Sequence, residues 1–167
     1  MKHIIRIILM LSLLISLPSC SKNANMTDLT QYQNEDFIVK AKLSCNSQNI
    51  FAEIERSGDI LKLRIISDDI PEDTFFYFTE DSAFLQTGNA VFPFSPDASP
   101  LLLHISDLFS LSVADIWKIE RSDLGGVSVY KCESTDNILY VDAYSHLPLK
   151  IQNNEITVDI ISFSLSK

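Results

Sequence analysis

Three thiols, three imidazoles and a short run of acids are the side chains of this sequence with chemistry to offer. Cys20 follows Leu17-Pro18-Ser19 directly, at the end of an apolar stretch that begins at Ile7. A thiol in that place is a nucleophile with small neighbours. His104 and His146 have no nucleophile beside them. There is no Gly-x-Ser-x-Gly, no His-Glu-x-x-His and no phosphate-cradling glycine loop, and the whole chain holds four glycines. No catalytic residue and no cofactor are therefore expected. Asp68, Asp69, Glu72 and Asp73 offer the oxygens that calcium takes, but their spacing fits no known loop, so a solvated acidic turn and no metal are expected. A different signal comes from aromatics: Phe75, Phe76, Tyr77, Phe78, Phe84, Phe92 and Phe94 crowd one short region. Aromatics on both faces of a strand need apolar cover on both sides, or one side must line a cavity or a docking patch. Core filling and a hydrophobic ligand cavity both remain open at this point.

The residues ahead of Cys20 give it meaning. Lys2 and Arg6 are positive, and Ile7 to Leu17 is broken in polarity by Ser12 and Ser16 alone. A membrane-spanning helix needs about 20 apolar residues, so this stretch is too short to anchor the chain by itself. With Leu17-Pro18-Ser19-Cys20 it resembles the lipobox of bacterial lipoproteins, Pro18 being a mild departure. That resemblance implies a diacylglycerol on the Cys20 thiol, removal of residues 1–19 and, usually, acylation of the new amino terminus. It implies a membrane or outer-membrane address facing the periplasm or exterior. Two or three acyl chains, at about 0.8 kcal/mol per buried CH2, make a lasting anchor where one is marginal.

Lys2 and Arg6 leave with the signal, so 11 of the 13 Lys and Arg remain against all 22 Asp and Glu, a formal net charge of −11. Such a domain repels phosphate backbones and anionic headgroups, so no nucleic-acid partner is expected and lipid must hold the chain at the membrane. With Cys20 consumed, Cys45 and Cys132 form an even pair in an exported protein. They either close a disulfide across a loop of roughly ninety residues, worth about 4–5 kcal/mol at most, or lie apart as two buried thiols.

Residues 20–35, polar and without sustained apolar period, are expected to form a lipidated tether with at most one weak helical turn near Thr27 to Tyr32, leaving 36–167 as a single domain. From Phe37 the period becomes two. Phe37, Val39, Ala41 and Leu43 alternate with polar residues, then Ile50, Ala52 and Ile54, then Leu61, Leu63 and Ile65 beyond a hairpin at Ser57-Gly58-Asp59. Thr74 to Thr79, Ala83 to Gln86 and Ala90 to Phe94 extend this meander. Ser99 caps and Pro100 opens a predicted helix to Leu111, and Val113 to Glu120 continues as helix or strand. Strands return at Val127 to Glu133, Ile138 to Ala143, Leu147 to Gln152 and Thr157 to Leu165. The expected class is α+β, a curved antiparallel meander sheet with one or two short helices.

In the last forty residues Tyr140-Val141-Asp142, Leu147-Pro148-Leu149-Lys150 and Val158 to Phe163 resemble the closing strands of the LolA/LolB-like lipoprotein carriers. That resemblance implies an unclosed half-barrel whose hydrophobic concavity receives acyl chains. The long amphipathic helix that opens such domains is absent or reduced to Thr27 to Tyr32, and no gating residue carries over. The expectation is a non-catalytic envelope lipoprotein that binds an acyl chain, lipid or lipoprotein. The alternative is a scaffold lipoprotein docking an envelope protein partner.

Overall fold

The structure is a computed structural model that describes residues 25–45, 48–79, 82–95, 105, 109, 116 and 118–166. The signal, Cys20 and His104 lie outside these residues, as does most of the helix expected at Pro100 to Leu111. Eleven strands form one antiparallel sheet: β1 (Phe37–Cys45), β2 (Gln48–Ser57), β3 (Ile60–Ile66), β4 (Thr74–Phe78), β5 (Ala83–Thr87) and β6 (Ala90–Phe94) in the first half. The second half holds β7 (Lys118–Leu124), β8 (Val127–Glu133), β9 (Ile138–Asp142), β10 (Pro148–Gln152) and β11 (Ile156–Leu165). Their spatial order is β6-β5-β4-β3-β2-β1-β11-β10-β9-β8-β7, so β6 and β7 are the free edges and the sheet is unclosed.

Two meanders therefore meet at the centre, where β1 pairs β11 from Phe37↔Leu165 to Cys45↔Ile156. The period-two pattern dictates the faces, because successive side chains of a strand point to opposite sides. One face carries Val39, Ala41, Leu43, Ala52, Ile54, Leu63, Leu139, Ile151 and Val158, all buried in one core cluster. The outer face carries ion pairs between neighbouring strands, Lys62 to Glu55 and Arg64 to Glu53 at 3.2 Å and Lys118 to Glu133 at 3.5 Å. A one-residue slip would exchange these two sets, so the register is strongly specified.

Two expectations are corrected. Among the described residues helix amounts to α1 (Met26–Leu29), a 3₁₀ turn at Gln31–Asn34 and position 105, so the fold is mostly β rather than α+β. The second concerns residues 26–34, expected to belong to a tether, which fold onto the sheet. Leu29, Thr30 and Tyr32 are buried, and the Tyr32 ring meets Phe163 edge-on at 5.6 Å and Phe37 at 6.4 Å. A segment with two apolar anchors three residues apart folds onto the sheet although its composition is that of a spacer. Ile105, Phe109 and Ile116, from the stretch joining one edge of the sheet to the other, are buried in the same core, Phe109 lying 5.8 Å from Phe37.

Candidate functional site

The aromatic cluster divides between the two faces. Register places Phe78 opposite Ala83 and Ala83 opposite Phe94, and likewise Phe76, Leu85 and Phe92 in one row. Since Leu61 and Leu63 of the core pair with Phe78 and Phe76, these rows lie on the inner face. Phe94 joins them edge-on, at 6.0 Å from Phe76 and 6.4 Å from Phe78. Cover thins toward the edge: Phe78 is 5% exposed, Phe76 and Phe94 are half-buried, and Phe92 is 50% exposed.

Phe75, Tyr77 and Phe84 occupy the outer face and line no cavity in common with that set. Tyr77 stacks on Phe84 at 4.7 Å with the planes 12° apart, and Pro93 stands opposite Phe84 on β6. The Lys62 ammonium sits 4.5 Å above the Phe75 ring, a cation–π contact. Of the seven aromatics, then, four share the inner face and three the outer, the division that alternation along Thr74 to Thr79 leads one to expect.

Charge enters the inner face at positions that periodicity did not single out, Arg56 and Arg121 among them. Arg56 stands between Phe37 and Leu61 in the register, its Nε donating to the Gly58 carbonyl at 3.2 Å. Arg121, on β7, lies 5.5 Å from the Tyr130 ring and donates to its hydroxyl at 3.4 Å. Tyr32 and Leu29 are also missed by sequence reasoning; their three-residue spacing is the available signal. Burial raises the Tyr32 phenol far above its ordinary value, partly offset by the hydrogen bond from Gln33.

Cys45 and Cys132 are both free thiols, which corrects the bridge. Strands β9, β10 and β11 stand between β8 and β1. At roughly 4.8 Å per strand the two are about 19 Å apart along the sheet, where a disulfide needs Cα atoms within about 7 Å. Burial pushes the Cys132 thiol up to about 11. His146 is half-buried in the β9–β10 turn with φ of 57°, its ring edge-on to Tyr130 at 6.3 Å. The acids Asp68, Asp69, Glu72 and Asp73 lie in the exposed β3–β4 loop, and among the described residues no group of three His, Cys, Asp or Glu converges on a metal position.

Two hollows open at the end of the sheet away from the N-terminus. One, of about 300 Å³, is lined by Glu133, Asp136, Asn137, Gln152 and Asn153; the other, of about 410 Å³, by Arg64, Ile66, Asp68 and Glu72. The first is lined by polar residues with Ile138, the second mixes Ile65, Ile66 and Ile70 with polar residues, and neither touches the inner aromatic set.

No family model and no curated protein matches this chain. Among solved structures, an uncharacterized conserved protein from Thermus thermophilus is similar with a TM-score of 0.55 at 10% identity, over 85% of this chain and 86% of that one. This shows the fold alone. A LolA superfamily protein from Nitrosomonas europaea has a TM-score of 0.41 at 6% identity, over 85% and 92% of the two chains. The Pseudomonas aeruginosa MucA/MucB complex gives 0.45 at 15% identity, over 85% of this chain and 56% of that one. Likenesses below 0.5 are too distant to carry function.

Proposed function

We propose that the mature chain is a non-catalytic envelope lipoprotein, held by lipid on Cys20, that takes an acyl chain of a lipid or lipoprotein against its inner face. The observation that carries this reading is the uneven cover of that face. At its centre Leu29, Tyr32, Ile105 and Phe109 close it. At the β4–β6 end Phe76, Leu85 and Phe92 form an inward row that the described residues leave partly bare. An acyl chain laid along that row buries apolar surface on both partners, at about 0.8 kcal/mol per CH2.

Native mass spectrometry of the gently purified lipoprotein tests it. Wild type should retain an acyl lipid beyond its own anchor, and Phe92→Glu should lose that lipid while staying folded, because Phe92 is already half in water. A wild-type mass with no added lipid contradicts the reading.

A second reading rests on the other face. The stacked Tyr77 and Phe84, with Pro93 and the exposed Val91 beside them, make an apolar strip at the sheet edge that suits an envelope protein partner. A carrier retains lipid and a scaffold does not, so the same spectrum separates the two.

A further inference from the structure

In a sequence with 22 Asp and Glu against 13 Lys and Arg, cations are expected to find acids. Most do. Lys40, Lys62, Arg64, Lys118, Lys131 and Lys150 each pair with a carboxylate, and all six alternate with core residues and so stand on the outer face. Among the described residues Lys42, Arg56 and Arg121 have no such partner. Lys42 lies on the outer face, between Ala41 and Leu43 of the core. Arg121 donates to the Tyr130 hydroxyl and shares its face of β7 with Asp123. Arg56 is the remaining case.

Its surroundings are apolar. Register sets Phe37, Arg56, Leu61, Phe78, Ala83 and Phe94 side by side on the inner face, one from each of β1 to β6. Two residues along the strands, the next row is Val39, Ile54, Leu63, Phe76, Leu85 and Phe92. Arg56 is the one charged side chain in these two rows. The acids near it are engaged elsewhere or wet: Asp36 accepts from the Gly58 N–H at 2.7 Å, and Asp59 is exposed in the β2–β3 turn.

A guanidinium carries five N–H donors in a planar fork. Arg56 Nε donates to the Gly58 carbonyl at 3.2 Å, which holds the group at the turn end of β2, half-buried. The two terminal nitrogens have no acceptor among the described residues. Such a fork matches the paired oxygens of a carboxylate or a phosphate. Leu85, in the partly bare row, is three strands across and two residues along from Arg56, about 16 Å away. The hydrocarbon core of a bilayer is about 30 Å thick, so one acyl chain extends about 15 Å. A headgroup on Arg56 therefore leaves its chain long enough to reach that row.

We propose that Arg56 is the headgroup anchor of the acyl site, and that the ligand is an acidic amphiphile whose carboxylate or phosphate sits on the Arg56 Nη atoms. Its chain runs past Phe94 and Phe76 to Leu85, while the headgroup stays near water at the turn end. The proposal rests on the acyl-chain reading and narrows it. The acyl groups of a lipoprotein are neutral esters and amides, so an anionic lipid is favoured over a lipoprotein as the cargo.

Native mass spectrometry of the purified protein in neutral detergent, titrated with three probes, tests this. Palmitate, palmitoyl-lysophosphatidic acid and hexadecanol share a chain and differ in the headgroup. Arg56→Gln should weaken the anionic probes about ten- to hundredfold and leave hexadecanol within about twofold, because a charge-assisted contact is lost and the apolar row is kept. Arg56→Lys should retain part of the preference for anions, and Phe92→Glu should weaken all three probes together. A loss that includes palmitate supports a carboxylate ligand, and a loss confined to lysophosphatidic acid supports a phospholipid. Equal binding of all three by wild type, or equal weakening of all three by Arg56→Gln, overturns the anchor while leaving the acyl site standing. No binding of any probe by wild type overturns the acyl reading itself.

Discussion

Phe78 and Tyr77 are neighbours in sequence on opposite faces, and a glutamate at each should have opposite consequences. Phe78 is 5% exposed, pairs with Leu61 and Ala83 and meets Phe94 edge-on. Removing a buried phenylalanine costs about 3–5 kcal/mol, and losing an aromatic pair about 0.5–1.5 more. A carboxylate buried there adds several kcal/mol unless it is paired or takes a proton. The total is comparable with the roughly 5–15 kcal/mol that holds a domain together, so Phe78→Glu should not yield folded protein. Tyr77→Glu loses its stack on Phe84, about 1 kcal/mol, and places an acid opposite Lys62, which returns about 0.2–1 kcal/mol at a surface pair. Its cost is then within about 1 kcal/mol, or about half a molar in the urea midpoint at a slope near 2 kcal/mol/M. Urea unfolding of the purified variants, followed by circular dichroism, reads both. Comparable losses at 77 and 78 would mean that the assigned faces are wrong.

Four further outcomes rest on the same geometry. Leu29→Ala should destabilise the domain by about 2–5 kcal/mol in urea unfolding, whereas a free tether would show no change. Two thiols should be alkylated in the unfolded chain without reductant. The folded Cys132 keeps its proton to about 11 against an ordinary 9.0, so stability should fall as pH rises from 9.0 toward 11, by about 1.4 kcal/mol per unit, and Cys132→Val should flatten that decline. Asp142 is held below its ordinary 3.8, chiefly by the Ser145 N–H. Its contribution is present above 3.8 and lost as pH falls below it, so acid unfolding of Asp142→Asn should show a smaller loss there.

Most strands are legible in the sequence because one face of each is buried and the other wet. The predicted Val127 to Glu133 and Ala90 to Phe94 match β8 and β6, and the Ser57-Gly58-Asp59 hairpin falls where Gly58 takes φ of 56°. Strand β7 stays ambiguous between helix and strand because an edge strand has a neighbour on one side only. Its residues Lys118, Glu120, Arg121 and Asp123 are charged, Ile119 alone faces the core cluster within the strand proper, and Arg121 reaches inward through Tyr130. The α1 segment reads as spacer because Leu29 and Tyr32 are too few to show a period. The β1–β11 pairing joins residues more than a hundred positions apart, and no local pattern encodes it. It is also what separates Cys45 from Cys132. For the candidate site, the alternation within Thr74 to Thr79 shows that its aromatics need two covers. Which face stays partly bare depends on Ile105, Phe109 and Tyr32 reaching one side of the sheet.

The central claim is that an acyl chain lies along the inner row at β4–β6, and photo-crosslinking locates it most directly. The purified protein is illuminated with a fatty acid bearing a diazirine in its tail, and adducts are mapped by peptide mass spectrometry. Adducts at Phe76, Leu85 and Phe92, competed away by unlabelled fatty acid and absent from Phe75, Tyr77 and Phe84, are the predicted result. No saturable adduct, or adducts confined to the outward-facing aromatics, would contradict it.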